Sequence, residues 1–239
     1  MKNAVVIVTG ASRGIGYAIV ERCLKEGCQV LAVSRKPEGL NQLKSPNLHF
    51  WEVDVSKRDQ IQSFFEGLDQ KKIIASHLVN NAGIYFGRPL SVYTDEAIDD
   101  VLNTNLKGVI YFTQYFSERL MKQKKRGAIV NISSVSGICG SSDPIYGASK
   151  AAVNGFTKSC VYNFSPWIRV NAIAPGVVNT DMIKAIPEHI LKKYRSSEFI
   201  DSSTEPKDIA DATLFLLSEQ SQHMTGVILD VNNGCYFRS

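Results

Sequence analysis

The chain has 239 residues, of which 44% are apolar and 21% charged, a balance that excludes disorder as its main state. At about 150 residues per domain the length allows one or two, and because single α/β domains reach about 250, one domain over residues 1–239 is expected. Twenty-seven Lys and Arg against 23 Asp and Glu leave a net charge of +4, too mild to point to nucleic acid as a partner.

Five cysteines without a C-x-x-C pair and four scattered histidines support neither a disulfide framework nor a zinc site. The first apolar run, Ala4 to Val8, is too short for a signal-peptide core or a membrane span, so no membrane association and a cytoplasmic location are expected.

Ala4–Val8 leads into Thr9-Gly10-Ala11-Ser12-Arg13-Gly14-Ile15-Gly16 and then a helix through Cys23 and Leu24 that should end at Gly27. A glycine-rich turn between strand and helix lets the backbone approach a pyrophosphate, while the helix N-terminus offers free N–H groups and a positive dipole. The spacing is G-x-x-x-G-x-G, not the commoner G-x-G-x-x-G, and a glycine turn without a ligand has the same appearance. The second run, Val30–Val33, ends in Ser34-Arg35-Lys36, about 20 to 25 residues past the turn, where NAD-binding proteins usually place a carboxylate on the ribose 2′-hydroxyl. Ser34 removes that repulsion, and Arg35, Lys36 and Arg13 supply cations for a 2′-phosphate, so NADPH is expected over NADH; simple exposed charges at a strand end are the alternative.

The third run, Leu48–Val53, is followed by Asp54-Val55-Ser56, either an adenine contact or the cap of a helix over Gln60–Leu68. The fourth, Ile73–Val79, runs into Asn80-Asn81-Ala82-Gly83. A basic cluster, Lys122 to Arg126, precedes the fifth run, Ala128–Ile132, and reads as a solvated helix end or as a docking patch for an anionic carrier. Ser133 and Ser134 close that run. Tyr146 and Lys150 are four apart, on one face of a helix expected to begin near Tyr146. A Lys⁺ beside the phenol would lower its pKa from about 10 and suit it to exchange a proton with a carbonyl oxygen. Two further runs, Ile168–Ile173 and Val227–Val231, flank an irregular stretch, Pro175–Thr204, expected to form a lid at about 177–204, and a helix over Ile209–Leu217 opened by Thr204-Glu205-Pro206.

Seven β-branched-rich runs alternating with helices predict a doubly wound, seven-stranded parallel sheet with helices on both faces. The glycine turn, Asn81-Ala82-Gly83, Ser134 and Tyr146-x-x-x-Lys150 should then meet at its carboxyl edge, where ligands bind in such folds.

These stretches, with Asn103-Thr-Asn105, Ile132 to Gly137 and Arg169-Val-Asn-Ala-Ile-Ala-Pro175-Gly176, resemble the short-chain dehydrogenase/reductase family over essentially the whole length. The resemblance implies that Tyr146 is the acid/base, Ser134 polarises the substrate carbonyl, Lys150 holds the nicotinamide ribose and depresses the tyrosine pKa, and Asn105 places a water in a relay to Lys150. It also implies that backbone around Val178 and the Thr180 hydroxyl, after Pro175-Gly176, meet the carboxamide. The usual serine-to-tyrosine separation would favour Ser133, but Ser134 is the residue before Val135-Ser136-Gly137, as in the family.

The family pairs two long helices, here at about Asp95–Lys122 and Tyr146–Phe164, into an interface, so the resemblance also implies a homotetramer or homodimer. The C-terminal Val231-Asn-Asn-Gly-Cys-Tyr236 is similar to that of 3-oxoacyl-acyl-carrier-protein reductases, which implies a 3-oxoacyl thioester substrate, a role in fatty acid biosynthesis and an acidic carrier protein contacting Lys124, Lys125 and Arg126. Asp201-Ser202, where such reductases often carry Gly-Arg, and Ser165-Pro166-Trp167 depart from that pattern. Reduction of a free ketone, or NADP sensing without chemistry, are the other readings.

Overall fold

In a run such as Val6-Ile7-Val8, successive side chains leave the strand on opposite sides. In the computed structural model, which describes residues 1–237, they do so into two separate cores. Val6, Val8, Val30 and Ala32 pack with Ile19, Ile209 and Leu214 on one face of the sheet, while Ile7, Leu31 and Val33 pack with Ile61, Phe64, Phe112 and Cys160 on the other.

The strands are β1 (Val5–Thr9), β2 (Gln29–Ser34), β3 (Leu48–Glu52), β4 (His77–Asn80), β5 (Gly127–Ile132), β6 (Ile168–Pro175) and β7 (Ile228–Val231). They form one parallel sheet in the order β3-β2-β1-β4-β5-β6-β7. The chain winds outward in both directions from β1 and β4, which creates a crevice beyond their carboxyl ends. The helices are α1 (Gly14–Lys25), α2 (Arg58–Gln70), α3 (Asp95–Leu102), α4 (Gly108–Lys122), α5 (Ser136–Cys139), α6 (Pro144–Phe164), α7 (Glu188–Arg195) and α8 (Pro206–Leu217). Among the described residues none is long and apolar enough to cross a membrane.

Several boundaries differ from expectation for local reasons. The run Ile73–Val79 yields a strand only from His77, and edge strand β3 buries neither His49 nor Phe50. Asp54 does not cap α2, which starts at Arg58; its carboxylate instead accepts from the Ser56 N–H at 2.9 Å and the Ser56 hydroxyl at 2.8 Å. Asp95–Lys122 is helical throughout but not uniform: a wider, π-type turn at Asn103–Lys107 lies between α3 and α4. Gly108, just after it, lets α4 approach the β3–α2 loop, since a methyl there would lie 2.9 Å from the Val55 carbonyl oxygen. Helix α6 begins at Pro144, before Tyr146, because Asp143 caps it and proline suits a first turn.

Candidate active site and cofactor cleft

The glycine turn is held from β4. The Asn81 amide donates to the carbonyls of Thr9 at 3.0 Å and Gly10 at 3.1 Å, and the Thr9 hydroxyl accepts from the N–H groups of Asn81 and Ala82. Gly16 has no room for a side chain: a methyl there would lie 2.1 Å from the Gly10 oxygen. Gly10 has φ +64° and lies against Ala82. Arg13, extended at the N-cap of α1, supplies no side-chain cap, so the amides of Gly14, Ile15 and the following turn face the crevice without a side-chain acceptor. This cradle fits a pyrophosphate by charge and by shape.

Around it lie the other predicted cofactor residues. Gly14 faces Thr180, whose methyl is 3.3 Å from where a Gly14 side chain would begin. Ser12 is half-buried, Arg13 and Arg35 are exposed, and the Ser34 hydroxyl donates to the Lys36 carbonyl at 2.7 Å. Ser34 therefore contributes the absence of a carboxylate, its proton being committed. Val178 is buried and bridged to Thr204; the Pro175 carbonyl accepts from Val135 N–H at 2.9 Å, and Gly176 N–H donates to Val231.

On the other side of the crevice, α6 carries Tyr146 and Lys150 into the interior. The Ser134 hydroxyl lies against the Tyr146 phenol, where it acts to lower the phenol's pKa, and accepts from Ser136 N–H at 3.1 Å, whereas the Ser133 hydroxyl donates to the Lys150 carbonyl at 3.1 Å. The structure thus brings Ser134, not Ser133, to the phenol. Tyr85 meets Tyr146 edge-on, with ring centres 5.0 Å apart.

The expected effect of Lys150 on Tyr146 is corrected by burial. The ammonium donates to Ile132 O at 2.7 Å and stands 5.7 Å from the centre of the phenol ring. Desolvation dominates both groups, raising Tyr146 to about 12, against the lowering influence of the Ser134 hydroxyl, and lowering Lys150 to about 8. The chain's own lysine does not depress the phenol.

Asn105, fully buried in the π-type turn, accepts from Ile84 N–H at 2.8 Å and donates to Ile84 O at 2.9 Å and to the Ser149 hydroxyl at 3.2 Å. It does not bond Lys150, though both approach the same point beside Gly83, at 3.4 and 3.6 Å from where a side chain there would begin. A wider turn at a site residue is a recurrent feature of functional helices.

Reading the sequence missed three sets of residues. Thr9 organises the β4 end, as described. A buried chain joins Asn80 to Thr113 and Asn131, and Asn131 to Thr157, cross-bracing β4, β5, α4 and α6. Asp143 was readable as the cap before Pro144; its contacts with Gly87 and Tyr93 were not.

Lys124 to Arg126 precede β5, six residues of about 3.3 Å each, so they lie roughly 20 Å from the carboxyl edge that holds Tyr146.

The short chain dehydrogenase family model matches residues 4–191. The chain belongs to that family. This short-chain dehydrogenase is 36% identical to the 3alpha-hydroxysteroid dehydrogenase of Mediterraneibacter gnavus, over 97% of this chain and 96% of that protein. It is also 36% identical to the 3-oxoacyl-[acyl-carrier-protein] reductase FabG of Thermotoga maritima, over 98% of each. Among solved structures it is similar to 4-hydroxyisoleucine dehydrogenase complexed with NADH, with TM-score 0.92, 29% identity and 98% of both chains covered. A short chain dehydrogenase from Leptospira borgpetersenii with bound NAD+ matches with TM-score 0.92 and 27% identity, over 98% of this chain and 93% of that one. As a member of this family the protein is an oxidoreductase acting on alcohol and keto groups with a nicotinamide cofactor.

Proposed function

We propose that the protein is an NADPH-dependent ketone reductase whose substrate is a 3-oxoacyl thioester. The observation that carries the reading is the gathering of buried Ser134, Tyr146 and Lys150 at the carboxyl ends of the strands, with the Ser134 hydroxyl against the phenol and Lys150 one helical turn along. Bound NADPH supplies the hydride. Ser134 holds the carbonyl oxygen, and Tyr146, protonated across the neutral range because burial raises its pKa to about 12, gives that oxygen its proton. Lys150 is the natural partner of the nicotinamide ribose, and Asn105 fixes the Ile84 segment behind it.

NADPH is favoured by Ser34 in place of an acidic residue and by the exposed Arg13 and Arg35. The thioester is supported by the C-terminal resemblance and by similarity to FabG proteins from several bacteria, among them Thermotoga maritima and Vibrio harveyi. A free alicyclic ketone is the second reading, favoured by equal identity to the steroid dehydrogenase and by the remoteness of the basic cluster from the cleft. Residues 177–204 serve as the substrate lid in either case: the Tyr194 hydroxyl is 3.1 Å from that of Ser142, and both act on the Tyr85 phenol. The outer face of α6, with Tyr162 exposed, is the face we assign to self-association.

The test is oxidation of NADPH and of NADH with 3-oxoacyl-CoA, 3-oxoacyl-carrier and free ketone substrates. Turnover of thioesters with NADPH is the expected result. Turnover of free ketones alone selects the second reading, and turnover that survives Tyr146→Phe removes both.

A further inference from the structure

A carboxylate taken wholly out of water must be compensated by donors or cations, or it becomes protonated. Asp143 is completely buried, and among the described residues it has no ion pair. Its compensation comes from three neutral donors. Tyr146 N–H reaches Oδ1 at 3.0 Å, Gly87 N–H reaches Oδ2 at 3.0 Å, and the Tyr93 hydroxyl lies 2.7 and 2.8 Å from the two oxygens. The positive end of the 21-residue α6 adds to this.

Capping α6 requires only the first of these bonds. The second oxygen instead grips the segment after β4, more than fifty residues away in sequence. Gly87 there has φ +66°, and a side chain on it would begin 2.4 Å from Ala185 O and 3.1 Å from the Tyr85 ring, so it is pressed between the 177–204 segment and Tyr85. Tyr85 in turn packs edge-on against Tyr146. The contacts close a ring: Asp143 to Gly87, Gly87 to Tyr85, Tyr85 to Tyr146, and Tyr146 N–H back to Asp143.

We propose that Asp143 is a positioning residue that locks the pocket wall at residues 85–93 to the start of α6, fixing where the Tyr146 phenol stands relative to the substrate carbonyl. The proposal rests on the reading of Tyr146 as acid/base. It predicts both a geometric and an electrostatic effect, because the groups facing the phenol are Asp143 from the cap, Tyr85 from the wall, Ser134 from the β5 end and Lys150 from its own helix. On the Asp143 side the cation acting on Tyr93 is Arg88, whose guanidinium stacks on Phe86. The charge on Asp143 favours the protonated phenol.

The test compares wild type, Asp143→Asn and Tyr93→Phe, each loaded with NADPH and with the ketone that wild type turns over best. Asn caps helices as well as Asp, so Asp143→Asn preserves α6 while deleting the charge and the grip on Gly87. Plateau kcat should fall about ten- to a hundredfold, with KM changing much less, because reacting groups displaced by about 1 Å lose rate on that scale. The pH at which reduction is lost through phenol ionisation should move lower in Asp143→Asn but not in Tyr93→Phe, which keeps the charge; Lys150 is common to all three and drops out of the comparison. Hydrogen exchange at the Gly87 amide should accelerate at least about tenfold in Asp143→Asn, an outcome read without activity. Unchanged kcat and pH profile in a folded Asp143→Asn protein, or a lowered Tm as its only effect, overturns the proposal. So does unchanged Gly87 exchange, whatever the turnover. Full activity in Tyr146→Phe would instead remove the underlying assignment of the phenol.

Discussion

The Lys150 ammonium donates to the Ile132 carbonyl at 2.7 Å without hydrogen-bonding the Tyr146 hydroxyl one helical turn away. Both groups are buried, and burial favours the neutral form of each. A lysine lowered from 10.5 to about 8 leaves the unfolded chain holding more protons between those values, so stability rises with pH there; the penalty below pH 8 is roughly 3 kcal/mol. A tyrosine raised from 10 to about 12 has the opposite consequence, stability falling between those values. Urea unfolding of the cofactor-free protein should therefore show stability climbing from pH 8 to 10. Lys150→Met should flatten that climb, and a climb of equal steepness in the variant would refute the burial argument.

Ser133 and Ser134 separate by their partners. Ser134→Ala removes the hydroxyl that meets the phenol and should lower kcat/KM by about 10²- to 10³-fold with little change in Tm. Ser133→Ala removes a bond to the α6 backbone and should cost about 1 kcal/mol of stability with activity nearly intact. Steady-state kinetics beside thermal melts decide between them; a reversed pattern would reassign the carbonyl-binding serine.

Arg13 and Arg35 are exposed near the end of β2, where a 2′-phosphate would sit. Charge-assisted bonds of about 1.5–3 kcal/mol predict that Arg13→Ala or Arg35→Ala raises the NADPH Kd at least about tenfold and leaves NADH unchanged. Fluorescence titration with both coenzymes checks this. Equal loss for both would mean the arginines do not read the phosphate.

His77, at the start of β4, is lowered by burial and by Arg169 to about 4, and its Nδ1 hydrogen-bonds the Ser76 hydroxyl at 2.7 Å. The unfolded chain takes up its proton first as pH falls from 6.5 to 4, so stability is full above that window and lost through it. Across this range the denaturant midpoint of wild type should fall more steeply with falling pH than that of His77→Gln. Parallel curves would show that other groups govern acid unfolding.

The parts of the cleft legible in the sequence are those whose geometry is local. Gly10, Gly14 and Gly16 belong to one turn, and Tyr146 and Lys150 share a face by helical spacing alone. The strands were readable because β-branched runs such as Val5–Thr9 and Gln29–Ser34 are buried on both faces. The π-type turn at Asn105 was not, since the residues Asn103–Lys107 suit an ordinary helix and the widening follows from packing on Ile84 and Ser149. Ser134 could be preferred over Ser133 by motif, but only the fold showed which hydroxyl was already committed to α6.

Periodicity and turn chemistry thus determined a parallel seven-stranded sheet, its glycine turn and the spacing of the phenol and ammonium, because each depends on residues a few positions apart. The tertiary structure decided that Asp143 holds Gly87 and Tyr93, that the Lys124–Arg126 cluster lies at the opposite edge of the sheet, and that Lys150 and Tyr146 are driven toward their neutral forms. Those properties arise from which distant segments meet and how much water they exclude, and one-dimensional spacing carries neither.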